Sequence, residues 1–255
     1  MDFTIPIGAF KLSLAIEKRN KIVITYLPDS DVLRVLKETD KGDFLASKEA
    51  KNRVREYQKS LKTNNFWKLD DGYDFIEKHL PKGKISLIDV GCHVGQLPFF
   101  LKQTGKWESI NYTGTDVMKT FIDLAKKEHK GGVFFLSNIQ EHITDQTFDV
   151  VFTKGTIIST FDPIKSAQNV LSIPSKKTFL LHTPIASNNI DEDYYNILVH
   201  NKEQVYTSSV LTLQGLQKVI DEKGFKIVEN RKRPKLFKVL NKGGYHLHDF
   251  LLKKI

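Results

Sequence analysis

The residues with the clearest chemical content lie in one short run, Asp89-Val90-Gly91-Cys92-His93-Val94-Gly95. Glycines at 91 and 95 allow a sharp turn and a close approach of backbone to a ligand. Asp89 puts an acid immediately before that turn. Asp116, Asn138, Thr153 and His182 follow at the ends of later apolar runs. A carboxylate at 116 can accept both hydroxyls of a ribose. An amide or backbone group at 138 can meet an adenine edge. An imidazole at 182 can take a proton from a hydroxyl; its alternative is a hydrogen-bonded histidine at a strand end.

Elements of alternating type are needed to bring these groups together. Ile85, Leu87 and Ile88 lead into Asp89 as a buried strand, and Leu97 to Leu101 reads as a helix. The same alternation then repeats. INYTGTD (110–116), GVFFL (132–136), FDVVFT (148–153) and TFLLH (178–182) read as strands two to five, with helices over 121–127 and 163–171. A helix over 212–223 closes at Gly224, followed by strand six at 225–229 and strand seven at 245–252. Strands alternating with helices imply right-handed crossovers and a parallel sheet. The last two strands have no helix between them, so strand seven is expected to run antiparallel. The fold class is therefore α/β, a doubly wound and mostly parallel seven-stranded sheet. The strand ends converge on its carboxyl edge, where such sheets bind ligands.

The first 70 residues read differently, as a mainly helical N-terminal extension that packs on or caps the domain of residues 71–255. A strand is expected over 21–27, a short helix over 31–37, a strong helix over 47–61 and another over 72–80. The stretch 183–209, with Asp191, Asp193, Tyr194 and Tyr195, reads as a loop that could form a lid over an acceptor.

Composition removes several classes. Cys92 is the sole cysteine, which excludes an internal disulfide and a multi-cysteine zinc site. It reads as a small buried residue rather than a nucleophile. His246 and His248 share a strand face but have too few ligands nearby for a metal, so no metal is expected. No apolar run approaches the roughly 18 residues of a membrane helix, and MDFTIPIGAF makes a poor signal peptide. A cytoplasmic location is the expectation. The formal net charge is +9, carried mostly by lysine, whereas nucleic-acid readers rely more on arginine. A basic stretch, Arg231-Lys232-Arg233-Pro234-Lys235, is expected in the hairpin between strands six and seven, where it could draw in an acidic acceptor.

The turn also discriminates between nucleotides. A dinucleotide fingerprint needs G-x-G-x-x-G to admit a pyrophosphate, and His93 stands at its middle glycine. Asp89 would repel a phosphate but suits an ammonium. A ligand with adenine, ribose and an ammonium but no phosphate fits, and S-adenosylmethionine is such a ligand.

Asp89-x-Gly91-Cys92-x-x-Gly95 resembles the first motif of class I S-adenosylmethionine-dependent methyltransferases. Asp116, the step Ser137-Asn138-Ile139 and FDVVFTKG resemble their second, third and fourth motifs. The resemblance covers residues 70 to 255 and implies strand order 3-2-1-4-5-7-6. The segment Leu181-His182-Thr183-Pro184 weakly resembles bacterial methyltransferases associated with surface-glycan biosynthesis. The resemblance implies that Gly91 and Gly95 meet the methionine portion and Asp89 holds its ammonium. Asp116 takes the ribose, Asn138 and Ile139 flank adenine, and Val117 and Thr153 join the cofactor site. His93 departs from the motif and either loosens the loop or touches the ligand. Many small-molecule members carry an acid and a histidine where this chain has Ile158 and Ser159. The implied activity is methyl transfer to a small molecule or a glycan-precursor sugar, expected at oxygen with His182 as candidate base, releasing S-adenosylhomocysteine. Alternatives are an RNA methyltransferase, without a recognition motif to support it, or a non-catalytic cofactor-binding scaffold.

Overall fold

Alternate residues of Ile85–Val90 serve two different cores. Ile85 and Leu87 pack with Tyr73, Phe100 and Leu101 on one face, and Ile88 and Val90 pack with Val151, Ala167 and Leu216 on the other. A strand apolar on both faces must be covered on both, as in a doubly wound sheet. The computed structural model describes residues 6–7, 10–11, 23–27, 52, 54–56, 58–59, 72–160, 162–200, 205–239 and 243–255. In chain order these form β1 (Pro6–Ile7), β2 (Phe10–Lys11), β3 (Val23–Leu27), α1 (Tyr73–His79), β4 (Ile85–Val90), α2 (Gln96–Gln103), β5 (Ile110–Asp116), α3 (Lys119–Glu128), β6 (Val133–Leu136), β7 (Phe148–Lys154), α4 (Pro163–Ser172), β8 (Ser175–Ala186), β9 (Tyr194–His200), β10 (Val205–Leu211), α5 (Leu213–Glu222), β11 (Phe225–Val239) and β12 (Gly243–Lys254).

The central sheet runs β6-β5-β4-β7-β8 in parallel, followed by antiparallel β12 and then β11. Counted from the Ile85 strand this is the expected order 3-2-1-4-5-7-6. Helix starts follow their side-chain chemistry. The Asp162 carboxylate accepts the Lys165 N–H at 2.8 Å, and the Thr212 hydroxyl accepts the Gly215 N–H at 3.0 Å, each capping a helix.

The stretch 183–209 is not a lid loop. Tyr194 and Tyr195 lie in β9, which forms an antiparallel hairpin with β10. Tyr195 is buried with Ile197, Val199, Val210, Val239 and Tyr245. The alternation is disguised because polar residues occupy buried positions. Ser209 donates to Asn196 Oδ1 and to the Thr160 carbonyl, both at 2.8 Å, and Ser208 donates to the Ile158 carbonyl at 3.1 Å. The hairpin is thereby tied to the segment that follows β7.

The sheet extends to this hairpin through β8. Its N-terminal part pairs with β7 as far as Leu181, and beyond β7 the same edge meets β10 at Ile185. Its other edge pairs with β12. β9 then pairs with β3, and β3 approaches β11, while the Tyr195 cluster draws its buried side chains from β9, β10, β11 and β12. The N-terminal segment thus supplies a strand as well as helix. Within the expected 47–61 helix, the described residues 52, 54–56 and 58–59 are helical. Val54 is buried in the main core, and the Gln58 amide donates to Glu128 at 2.7 Å. The helix expected over 31–37 lies outside the described residues.

The basic stretch is part of β11 rather than a connecting hairpin. Arg231 and Arg233 both turn to Asp249, which is fully buried on β12, at 2.8 and 2.9 Å. Arg231 also pairs with Asp74 on α1. These arginines are consumed by the fold, and Lys226, Lys232, Lys235 and Lys238 are the exposed cations of the strand. His246 and His248 likewise face their neighbours, through the Arg233 carbonyl and Asn230 Oδ1. No group of three metal-ligating residues occurs among the described residues. Removing one partner of a buried ion pair leaves the other without countercharge in low dielectric. Asp249→Ala is therefore expected to lower the unfolding free energy by about 3–5 kcal/mol, measured by urea denaturation.

Candidate active site

A cavity of about 850 Å³ opens at the carboxyl ends of β4, β5, β6 and β7. It lies within the size range of small-molecule sites. Asp89, Gly91, His93, Asp116, Val117, Asn138 and Ile139 all line it. Gly95, Thr153 and His182, which the sequence reading also places at the site, do not.

The turn after β4 is held by the end of β5. The Gly91 and Cys92 N–H groups both donate to the Thr115 carbonyl at 2.8 Å. The next N–H, of His93, donates to Asp116 Oδ2 at 3.0 Å, and the Met118 N–H donates to Oδ1 at 3.0 Å. Asp116 thus fixes two backbone segments before any ligand arrives. Each of its oxygens retains acceptor capacity for a further donor. Burial pushes its pKa up, while the Met118, His93 and Val117 N–H groups pull it down.

His93 takes φ 52°, in the left-handed region. This explains why glycine is usual there, and histidine is one of the residues that tolerates it. Its ring packs on Phe121 with centroids 3.8 Å apart. Gly91 and Gly95 also have positive φ, but their missing side chains serve packing. A Cβ on Gly91 would collide with the Thr156 side chain, and one on Gly95 with the His129 ring. Gly95 therefore makes room for a buried histidine instead of a ligand.

Asp89 is 3% exposed, and its carboxylate accepts the Tyr112 hydroxyl at 2.6 Å. Desolvation pushes its pKa up to about 7; the Tyr112 hydrogen bond opposes this and the Asp116 charge adds to it. Desolvation, reinforced by Asp89, also raises the Cys92 thiol, so Cys92 is a buried structural residue. Asn138 is partly used locally, since its Oδ1 accepts the Gln140 N–H at 3.0 Å.

Thr153 and His182 lie instead in a closely packed group with Ile157, Ile158 and Thr183 that leaves no room for a water molecule; Gly155 borders both this group and the cavity. His182 has φ 53° at the point where β8 changes neighbours, and its N–H donates to Asp249 Oδ1 at 3.0 Å. Sequence reasoning missed Tyr73, Gln96, Phe121 and Thr156 as cavity residues. Tyr73 arrives on α1 through tertiary packing and has no local signal. Gln96 could have been found as the first residue of the helix after the glycine turn.

The donor set fits a methyl donor of the adenosylmethionine type. Two carboxylates face a cavity with apolar surface at Val117, Phe121 and Ile139. A phosphate would meet Asp89 and Asp116 unfavourably, whereas ammonium and ribose hydroxyl groups suit them.

His93→Gly and His93→Ala both lose the ring, but only glycine relieves the left-handed backbone. The glycine variant is expected to be more stable by about 1 kcal/mol in urea unfolding. Asp89 keeps a proton in the fold at pH values where the unfolded chain, at the ordinary 3.8, has lost it. Its contribution is present below pH 4 and disappears as pH rises through about 7. Asp89→Asn should therefore gain melting temperature relative to the parent as pH increases across that window.

Comparison with known proteins agrees with this geometry. Residues 88–173 match the family described as a methyltransferase domain. No curated protein matches the chain. Among solved structures, an S-adenosylmethionine-dependent methyltransferase from Methanosarcina mazei is 17% identical, with a TM-score of 0.53 over 71% of this chain and 97% of its own. A TehB-like S-adenosylmethionine-dependent methyltransferase from Corynebacterium glutamicum is 13% identical, with a TM-score of 0.50 over 81% and 98%. A Pyrococcus horikoshii protein is 13% identical, with a TM-score of 0.55 over 76% and 93%. At these identities the structures show a shared fold.

Proposed function

We propose that this chain, whose residues 88–173 match the methyltransferase-domain family, is a class I S-adenosylmethionine-dependent methyltransferase that methylates a small molecule or a sugar of a glycan precursor, at oxygen. The supporting observation is the cavity itself. It is of small-molecule size, and its lining includes Gly155, Ser159 and Thr160 beside the residues of the glycine turn. The reading of an RNA acceptor rested on the basic stretch, and its two arginines are engaged with Asp249.

In this reading the chain's residues divide the work by position. Asp116 takes the ribose hydroxyls with the acceptor capacity left beside its backbone bonds. Asp89 receives the ammonium, which favours its ionised form. Val117 and Ile139 enclose the adenine with Asn138, and His93 with Phe121 closes the side of the turn. Gly91 and Cys92 carry the backbone past the methionine portion. The bound donor supplies an activated methyl group for in-line displacement by the acceptor. The protein's contribution is alignment of the acceptor with that group. His182 is the candidate base of this reading; Asp249 anchors its backbone N–H, and Gly155 lies between it and the cavity. The segment before residue 70 acts as the substrate cap. No described helix is long and apolar enough to cross a membrane, and we place the reaction in the cytoplasm.

The acceptor reading is tested with the intact chain and radiolabelled S-adenosylmethionine, offered a low-molecular-weight cell fraction or total RNA. Label is expected in the small-molecule fraction, insensitive to ribonuclease. Label transferred to RNA alone overturns the reading. Asp116→Ala is expected to weaken S-adenosylhomocysteine binding roughly tenfold or more by calorimetry.

A further inference from the structure

Three lysines stand in one row across the sheet. Lys226 on β11 lies opposite Lys253 on β12, and Lys253 lies opposite Lys177 on β8. Residues directly opposite in antiparallel strands point to the same face, and neighbouring strands are about 4.8 Å apart. The face is the one covered by α1. Leu251 and Phe179, each two residues along from a lysine of the row, pack in the core that holds Tyr73. The Lys177 ammonium donates to the His79 carbonyl at the end of α1 at 3.4 Å. Lys226 and Lys253 are exposed. Like charges directly opposite one another destabilise a sheet, so the row costs the fold something that a bound anion would offset.

The acids of these strands are spent elsewhere. β8 has none, and those of β11 and β12 are Glu229 and Asp249. Asp249 binds Arg231 and Arg233, and Glu229 binds Lys78 and His79. Lys82 and Lys84, both exposed in the turn from α1 into β4, add charge of the same sign. The row also lies away from the catalytic end of the sheet. Lys177 is opposite Val150 on β7, four residues before Lys154 of the cavity lining, or about 13 Å along the strand. A partner held at the row therefore leaves the cavity open to donor and acceptor.

We infer that the row Lys177-Lys253-Lys226 is a docking surface for an anionic lipid bilayer. Three features favour lipid over nucleic acid. The row is built from lysine, which acts as a point charge and suits a diffuse negative surface. Both arginines of β11, whose planar forks would read phosphates, are turned to Asp249. The exposed large apolar side chains of β11 are the aliphatic Val228 and Leu236, whereas single-stranded nucleic acid is held on aromatic platforms. Docking of this kind is peripheral and reversible, and it is independent of what the cavity methylates.

Vesicle flotation with the full chain tests the surface. Binding is expected to phosphatidylcholine vesicles that contain phosphatidylserine, and is expected to vanish on phosphatidylcholine alone and in high salt. The double variant Lys226→Ala/Lys253→Ala should bind roughly twentyfold more weakly, at about fivefold for each lysine. Lys235→Ala/Lys238→Ala removes the same charge at the far end of β11, beyond a Debye length of the row, and should keep most of the affinity. Melting curves of both variants are expected to match or exceed the parent's; if the alanine pair melts early, Lys226→Gln/Lys253→Gln takes its place. Equal loss from the two double variants overturns the inference, because net charge alone then accounts for binding. Absence of binding to the anionic vesicles overturns it too. So does a row variant that loses affinity for total RNA while vesicle binding stays unchanged, which assigns the row to nucleic acid.

Discussion

Three consecutive backbone N–H groups of the turn after β4 point at the end of β5. Gly91 and Cys92 bond the Thr115 carbonyl, and His93 bonds the Asp116 carboxylate. This arrangement sets the rest of the site. It accompanies a left-handed backbone at His93 and puts Asp116 at the cavity with both oxygens already oriented, next to Asp89 held by Tyr112. Buried donors need partners, and here the partner is also a residue that lines the cavity. The site is consequently preorganised: its carboxylate is positioned by the backbone it stabilises.

The second organising element is β8. It is long enough to pair with β7 below and β10 above along one edge, while β12 follows the other. His182 sits at the change of neighbours, with a left-handed backbone anchored by Asp249. Asp249 draws Arg231 and Arg233 inward, and Arg231 continues to Asp74 on α1. One buried carboxylate thus connects the β8 switch, the C-terminal hairpin and the helix that brings Tyr73 to the cavity.

Electrostatics in the cavity follow from unequal solvation. Asp89 is buried beside another acid, so its ionised form is disfavoured. Lys154 stands in the same lining but is oriented by an aromatic ring and an amide. Separated charges of opposite sign in one low-dielectric space suit a ligand that is itself charged at several points.

The doubly wound sheet was legible because its signals are local. Buried strands, glycine at Gly91 and Gly95, and apolar helices at 97–101 and 212–223 declare themselves over a few residues, and the parallel order follows from their alternation. Asp89 and Asp116 could be singled out because the strand ends fix where they stand. The tertiary structure alone decided what Gly95 makes room for, since His129 comes from a helix end remote in sequence. It also decided that Arg231 and Arg233 face inward, and that 194–211 is a hairpin whose buried serines are satisfied by distant carbonyls. A residue's type records what it can bond. Which partner it meets depends on chain segments far away, and only the folded arrangement brings those within reach.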